Sequence, residues 1–159
     1  MSKLSTTKGK TFERKIATLF RERWPDAVVR RASQADRAHQ SDVYVTGGPP
    51  ILARLWLECQ DARSPTPLAK LDQAEGDIGY AHNPHWRSVH IPIVIWHKLG
   101  AREIYATTRM WMLDVIRGIR HVDHDVVVTM TLPELLDFIS QEVRVANARA
   151  DRETAKEAA

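Results

Sequence analysis

Cysteine is nearly absent from this chain of 159 residues, because Cys59 is the only one in the sequence. A lone cysteine cannot close a disulfide within the chain, and it excludes a structural zinc site built on several thiolates. Long hydrophobic runs are also missing, since the best one, 91–96, is far shorter than the roughly 20 apolar residues that span a bilayer. Neither the phosphate loop G-x-x-x-x-G-K-[ST] nor the fingerprint G-x-G-x-x-G occurs. We therefore expect no disulfide scaffold, no membrane span and no nucleotide cofactor.

A strong charge excess and a secretory signal are missing as well. Lysine and arginine total 23 against 20 acidic residues, and the hydrophobic fraction of 43% is that of an ordinary globular chain. No apolar run follows a charged start, as it does in a secretory signal. We therefore expect one cytoplasmic domain over residues 10–148, preceded by a flexible basic arm over 1–9. The charged tail over 149–159 is either a frayed helical extension or disordered.

Hydrophobic periodicity predicts an α/β domain. Apolar residues recur at helical spacing from Phe12 to Trp24, and short strand-like runs lie on both sides of a turn at Gly47 to Pro50. The expected helices cover about 10–24, 67–81, 110–117 and 132–148. The expected strands cover about 27–31, 41–46, 52–60, 90–96, 103–107 and 126–130. This order favours a central mixed β-sheet flanked by α-helices.

One carboxylate has an unusual position on the first expected helix. With a turn of about 100° per residue, Glu13 projects between Phe20 and Trp24, inside the apolar stripe. A buried ionised glutamate is costly unless it is paired or binds a metal. Glu13 is therefore a candidate metal ligand. The alternative is a salt bridge to a basic neighbour at the edge of the core.

Two more acidic residues are expected to lie together on neighbouring strands. Alternation puts Glu58 and Gln60 on one face of strand 52–60, near its end. The hairpin turn brings Asp42, at the start of the preceding strand, beside Glu58. If the first helix packs on the same face, Glu13 completes a cluster of three carboxylates. Because clustered carboxylates repel one another, such a group holds together best around a divalent cation, Mg²⁺ or Mn²⁺.

A divalent cation in such a cluster indicates a class of chemistry. The ion can lower the pKa of a bound water and stabilise charge on a phosphoryl oxygen, and both effects serve phosphodiester hydrolysis. The alternative needs no metal. In that case Asp42 caps a turn, and Glu58 pairs with Arg54 or Arg63 at a strand edge.

The residues that carry a family resemblance lie in about half of the chain, over about 8–81. They are Lys8, Gly9, Phe12 and Glu13 on the helix, Val29, Arg30 and Ser33 on the next strand and its loop, Ser41 and Asp42, and Leu57, Glu58, Cys59 and Gln60. In this pattern the chain resembles the archaeal Holliday-junction resolvases and their phage relatives, members of the PD-(D/E)XK nuclease superfamily. The resemblance implies a restriction-endonuclease-like fold and Mg²⁺-dependent hydrolysis of DNA.

The resemblance also implies roles for individual residues. Asp42 and Glu58 would bind the metal, and Glu13 would contact it directly or through water. The sequence departs from the family at Gln60, which stands where most members have a lysine. A neutral amide can orient the attacking water but offers no charge to the transition state. A compensating cation could come from Lys70 on the following helix, because relocated lysines occur in this superfamily.

Basic residues cluster near these carboxylates along the chain. The resemblance puts Arg30 and Ser33 at a loop that faces DNA, and Gln73 matches a glutamine often found in the helix after the motif strand. Such residues would hold phosphates without reading sequence, which gives strongly salt-dependent binding. The alternative is an ordinary solvated surface. The expected DNA contacts are Lys8, Lys10, Arg30, Arg31, Ser33, Arg37, Arg63 and Gln73.

These observations lead to one functional hypothesis with two alternatives. We expect a metal-dependent DNA endonuclease, in particular a Holliday-junction or branched-DNA resolvase. One alternative is a catalytically weak or inactive DNA-binding or assembly module that kept the fold, and the other is a nicking or repair nuclease. The expected catalytic residues are Glu13, Asp42, Glu58, Gln60 and Lys70.

A resolvase implies a symmetric partner. Paired cuts in a four-way junction require two active sites, so we expect a homodimer. The last helix has an apolar face that is a candidate interface, although core packing is the more ordinary use of such a face. The residues of this face are Leu135, Leu136, Phe138 and Ile139.

Overall fold

A computed structural model describes the backbone of residues 3–32, 41–78, 90–118 and 125–157, and the side chains of these ranges except 3–7 and 157. The helices are α1 (Lys3–Arg23), α2 (Pro67–Asp77), α3 (Met110–Ile116) and α4 (Leu132–Glu157). The strands are β1 (Ala27–Arg31), β2 (Val43–Gly47), β3 (Leu55–Ala62), β4 (Ile91–Lys98), β5 (Ile104–Arg109) and β6 (Val127–Thr131).

The strands of the described ranges form one open sheet in sequence order, from β1 to β6. Neighbouring strands are antiparallel, except that β3 and β4 are parallel. The chain between these two parallel strands includes α2, as a crossover connection requires. The expected α/β class with a mixed sheet and flanking helices is therefore confirmed.

Helices cover both faces of this sheet near β3. α1 packs against β1, β2 and β3, and α2 packs against β3, β4 and β5. The α1 side chains Phe12 and Ile16 share one buried core with Leu57 of β3. The alternate β3 residues Glu58 and Gln60 contact α2 instead. β3 therefore has an apolar face towards α1 and a polar face towards α2, because successive side chains of a strand point to opposite faces.

The antiparallel register of β2 and β3 brings two predicted site residues together. Val43 of β2 lies opposite Leu57 of β3. Because the two strands are antiparallel, Asp42, the residue before Val43, is a neighbour of Glu58, the residue after Leu57. The chain leaves β2 at Gly47, whose φ of 71° is a conformation that glycine adopts at little cost. A single 3-10 turn then precedes β3, so the connection is longer than a two-residue hairpin loop.

Several element boundaries differ from expectation. α1 begins at Lys3, so residues 3–9 of the expected arm are helical, because extending a helix is far easier than nucleating one. α4 continues to Glu157, which agrees with the helical alternative for the tail. The strand expected from Leu52 begins at Leu55, since Leu52–Arg54 forms the 3-10 turn. α2 ends at Asp77, and residues 79–81 of its expected range lie outside the described residues.

The apolar face of α4 packs into the core. Leu135 and Ile139 are fully buried, and Leu136 and Phe138 are partly buried against the same cluster. Core packing, the ordinary use of this face, is therefore confirmed for Leu135 and Ile139. None of the helices in the described ranges carries an apolar segment of the length that a membrane crossing requires.

Candidate active site

Glu58 is a buried carboxylate on the polar face of β3, with an exposed fraction of only 5%. Trp56, two residues earlier on the same face, donates a hydrogen bond of 2.8 Å from its indole Nε1 to Glu58 Oε1. Lys70 of α2 places its Nζ 2.8 Å from Glu58 Oε2. Both carboxylate oxygens are therefore engaged, one by a neutral donor and one by a cation. The sequence-based alternative that Glu58 pairs with Arg54 or Arg63 is wrong.

The surroundings of Glu58 shift its acidity strongly. The pKa of Glu58 is raised from 4.5 to about 7, because burial and, to a lesser extent, the nearby Asp42 charge outweigh the opposing effects of Lys70 and Trp56. Burial lowers the pKa of Lys70, but its hydrogen bond and charge interaction with Glu58, together with Asp42, outweigh burial and raise it. Two carboxylates thus crowd one buried ammonium group. An additional cation at this position would favour the ionised form of Glu58.

Asp42 is fixed beside β3 by backbone contacts. Its Oδ2 accepts a hydrogen bond of 2.9 Å from the amide of Cys59, the residue that follows Glu58. Its own carbonyl accepts a bond of 2.9 Å from the amide of Ala32, at the end of β1. The expected convergence of Asp42 with the end of the motif strand is therefore observed. Asp42 is half-buried, so its carboxylate is more accessible than that of Glu58.

Glu13 is buried, as its place in the apolar stripe of α1 predicts. Its residue is 8% exposed, and its Oε2 accepts a charged hydrogen bond of 3.0 Å from Arg31 Nη1 on β1. This ion pair is the alternative that the sequence left open for Glu13. It satisfies the buried charge without a metal ion, because a guanidinium group is a full counter-charge.

The three carboxylates do not form one group of metal ligands. The expectation that α1 packs on the Glu58 face is wrong, because α2 contacts that face through Lys70. α1 packs on the opposite face with the alternate residue Leu57, and Glu13 stays on that side. Across the part of the chain that the structure describes, no three His, Cys, Asp or Glu side chains are placed to share a metal ion. What the structure brings together is the pair of Asp42 and Glu58, with Lys70.

Gln60 makes two hydrogen bonds to a single residue of the next helix. Its Oε1 accepts a bond of 2.9 Å from the Thr66 amide, and its Nε2 donates one of 3.2 Å to the Thr66 hydroxyl. Thr66 is the N-cap residue of α2, whose first helical residue is Pro67. The amide that stands at the family's lysine position is therefore engaged with the start of α2.

Four of the expected DNA contacts lie at or near the surface. Lys8 and Arg63 are exposed, and Lys10 is half-buried on α1. Arg30 is exposed on β1, on the opposite face from the buried Val29. These positions are compatible with phosphate contacts but also with an ordinary solvated surface.

The other expected contacts have different surroundings. Arg31 is the ion-pair partner of the buried Glu13, so its positive charge is already balanced by that carboxylate. Gln73 is exposed on α2, where its Nε2 lies 3.4 Å from Asp77 Oδ2. Ser33 and Arg37 lie outside the described residues.

Two contributors to the site were not assigned to it by sequence reasoning. One is Trp56, whose indole donates a hydrogen bond to Glu58. Its place on the same strand face as Glu58 was the available signal. Tyr44 lies two residues after Asp42 and opposite Arg30, on the face of β1 and β2 where the neighbouring Val28 is 45% exposed. An open, partly aromatic surface therefore adjoins Asp42.

No protein-family model matches the chain, and no curated protein matches it in sequence.

Proposed function

We propose that this chain is a metal-dependent DNA endonuclease of the PD-(D/E)XK superfamily that cuts branched DNA, as its resemblance to Holliday-junction resolvases implies. The observation that carries the proposal is the buried Glu58, with Asp42 beside it and Lys70 Nζ 2.8 Å from its carboxylate. Perturbed carboxylates with a specific cationic partner are characteristic of catalytic sites, although structural ion pairs have them too. Glu58, the residue whose pKa is raised, is also a residue of the sequence motif.

The fold gives coarser support to the same proposal. A mixed sheet with helices against both faces is the architecture that the resemblance implies. The motif residue Asp42 immediately precedes β2, and Glu58 lies on the adjacent antiparallel strand β3, which α2 also contacts. We infer a restriction-endonuclease-like fold from this arrangement together with the sequence motif.

The residues at the site fit a magnesium ion. Mg²⁺ is commonly held by one or two carboxylates, with water and substrate phosphate oxygens completing its coordination. Asp42 and Glu58 supply such a pair. Burial and the Asp42 charge raise the pKa of Glu58, and a bound cation would oppose both effects by favouring the ionised carboxylate. Glu13 is committed to Arg31 and is not assigned to the metal. When bound, Mg²⁺ or Mn²⁺ would polarise the phosphate and acidify a bound water.

The protein residues around this position have distinct tasks. Lys70 carries a full positive charge against Glu58, and in this proposal it stabilises the negative charge that develops on the scissile phosphate. Trp56 holds the second oxygen of Glu58 and so limits rotation of the carboxylate. Asp42 is oriented by the Cys59 amide. The cation of this site therefore comes from α2, whereas most members of the family carry it on the motif strand.

The surface next to Asp42 suits a nucleic acid. Arg30 and Tyr44 face each other across β1 and β2 on the open side of the sheet. An arginine can bind phosphate, and an aromatic ring can stack on an unpaired base such as those near a branch point. We therefore assign DNA backbone binding to this face.

A catalytically weak DNA-binding or assembly module is the second candidate. It is favoured by Gln60, whose amide oxygen and nitrogen both contact Thr66 and which carries no charge. A nicking or repair nuclease is a third reading, because the contacts do not select the DNA structure that is cut. A homodimer is proposed from the need for paired cuts.

Cleavage assays with one isosteric variant separate these candidates. Asp42→Asn keeps an oxygen that can accept the Cys59 amide bond but removes the negative charge. We expect the wild type to nick a labelled four-way junction in Mg²⁺, and Asp42→Asn to bind the junction but not cut it. The matched control is Asp151→Asn, an exposed position on α4. Junction binding without cleavage by the wild type would favour the binding module, and equal cutting of linear duplex would favour the general nuclease.

A further inference from the structure

Two contact pairs hold α2 against the polar face of β3. On the strand, Glu58 and Gln60 are two residues apart and point to the same side. On the helix, Thr66 and Lys70 are four residues apart. Gln60 contacts Thr66, and Glu58 contacts Lys70.

The spacing of the two pairs matches. Two residues of a strand advance by about 6.6 Å. Four residues of a helix advance by about 6.0 Å. Each strand residue can therefore face one helix residue, and the two contacts together fix where α2 lies along β3. The Lys70 amide also donates a bond of 3.1 Å to the Thr66 carbonyl, so Thr66 and Lys70 are joined through the first turn of the helix.

Gln60 is suited to hold Thr66 in a way that a lysine is not. Its amide group accepts from the Thr66 backbone and donates to the Thr66 hydroxyl at the same time. The Thr66 side chain makes no capping bond to its own helix, so its hydroxyl is available to Gln60. A lysine at position 60 has only donors and could not accept the Thr66 amide hydrogen.

We propose that Gln60 is a positioning residue, which anchors the start of α2 through Thr66 so that Lys70 stands against Glu58. Its catalytic consequence rests on the proposed nuclease function. In this arrangement Gln60 does not orient the attacking water. The helix supplies the cation, and the residue at the family's lysine position holds the helix in place.

Hydrogen exchange tests the structural half of the proposal without metal or DNA. The variants are Gln60→Ala and Thr66→Val, with Gln141→Ala as the matched control at an exposed position on α4. We expect the Lys70 amide to exchange about fivefold faster in Gln60→Ala than in the wild type, with a smaller increase in Thr66→Val. Exchange should be unchanged in Gln141→Ala. Unchanged exchange at Lys70 in Gln60→Ala would overturn the proposal.

Cleavage kinetics test the catalytic half. With a four-way junction and Mg²⁺, Gln60→Ala and Thr66→Val should both lower kcat and leave KM unchanged. The double variant should be no slower than Gln60→Ala, because Gln60→Ala already removes both bonds to Thr66 and Thr66→Val removes one of the same two. Thr66→Ser, which retains the hydroxyl, should restore the wild-type rate. If the double variant is clearly slower than Gln60→Ala, the two residues act independently of each other and the proposal is wrong.

The two experiments fail independently. If the wild type cuts no DNA, the proposed nuclease function fails, and hydrogen exchange still decides whether Gln60 anchors α2. If the wild type cuts DNA and exchange at Lys70 does not respond to Gln60→Ala, the nuclease stands and the positioning role is rejected.

Discussion

Replacement of Lys70 by methionine tests the electrostatics at Glu58. Lys70→Met keeps a side chain of similar length and removes the ammonium group that lies 2.8 Å from Glu58. The Lys70 and Glu58 side chains are 23% and 7% exposed, so the pair is largely shielded from water. Removing one partner of a buried ion pair costs about 3–5 kcal/mol when the remaining charge stays ionised.

Glu58 can reduce this cost by taking up a proton. Its pKa is already about 7, and loss of Lys70, which now opposes the upward shift, raises it further. At pH 7 the lone carboxyl of the variant is therefore mostly protonated. Each pH unit above 7 then adds about 1.4 kcal/mol to the destabilisation of the variant, until the pH reaches the new pKa of Glu58. We expect Lys70→Met to lose about 1–2 kcal/mol of unfolding free energy at pH 7 and about 3–4 kcal/mol at pH 8.5.

The sign of the pH dependence follows from the raised pKa of Glu58. Below its ordinary value of 4.5, the carboxyl is protonated in the folded and unfolded chain and contributes no pH dependence. Between 4.5 and about 7 the unfolded chain releases the proton first, so this group makes the folded wild type less stable as pH rises. In Lys70→Met the same loss continues above pH 7. The difference between the two proteins is therefore small at pH 5 and grows above pH 7.

Urea unfolding in EDTA at pH 5, 7 and 8.5 measures this difference. Lys156→Met, at an exposed position on α4, is the matched control and should be neutral. In a Glu58→Gln background the effect of Lys70→Met should lose its pH dependence, because the titrating carboxyl is gone. A destabilisation by Lys70→Met that is equal at pH 5 and pH 8.5 would refute the coupling between Lys70 and Glu58.

Three further predictions concern other charged contacts. Glu13→Gln should lower the unfolding free energy by about 1 kcal/mol in urea, since an amide is a weaker partner for Arg31, and it should retain cleavage; loss of cleavage would reinstate Glu13 as a metal ligand. Arg30→Ala should weaken junction binding and its salt dependence but not cleavage at saturating DNA, and unchanged binding would remove Arg30 from the DNA surface. The hydrogen bond to Asp61 raises the pKa of His97, so the stability advantage of the wild type over Asp61→Asn should be present below pH 6.5 and lost as pH rises through that raised pKa. An advantage in urea unfolding that is independent of pH would contradict this reading of His97.

Local patterns in the sequence predicted the elements and much of the site. Strand alternation was sufficient to put Glu58 and Gln60 on one face and to separate them from the apolar face of β3. The turn after β2 was sufficient to predict that Asp42 and Glu58 converge. The family resemblance suggested Lys70, on the following helix, as a compensating cation, and Lys70 does lie against Glu58.

What the sequence could not supply was the packing of one element on another. The apolar stripe of α1 indicates which side of the helix is buried, but not which face of the sheet it covers. Glu13 was therefore expected beside Glu58, and it lies on the opposite face with Arg31. The Gln60 contact to Thr66 depends on how α2 is placed on β3, which no local pattern encodes. Trp56 likewise reads as an apolar residue in the sequence. That its indole Nε1 donates a hydrogen bond to Glu58 is evident only from the structure.

Mapping the products that the wild-type protein makes from a four-way junction tests whether it is a branched-DNA endonuclease. Each of the four strands is end-labelled in turn, and the protein is incubated with Mg²⁺, Mn²⁺ or EDTA. We expect nicks at symmetric positions in two opposing strands, in either metal and not in EDTA, with little cutting of linear duplex of the same sequence. Tight junction binding with no product in either metal would contradict it, and so would cutting that persists in EDTA.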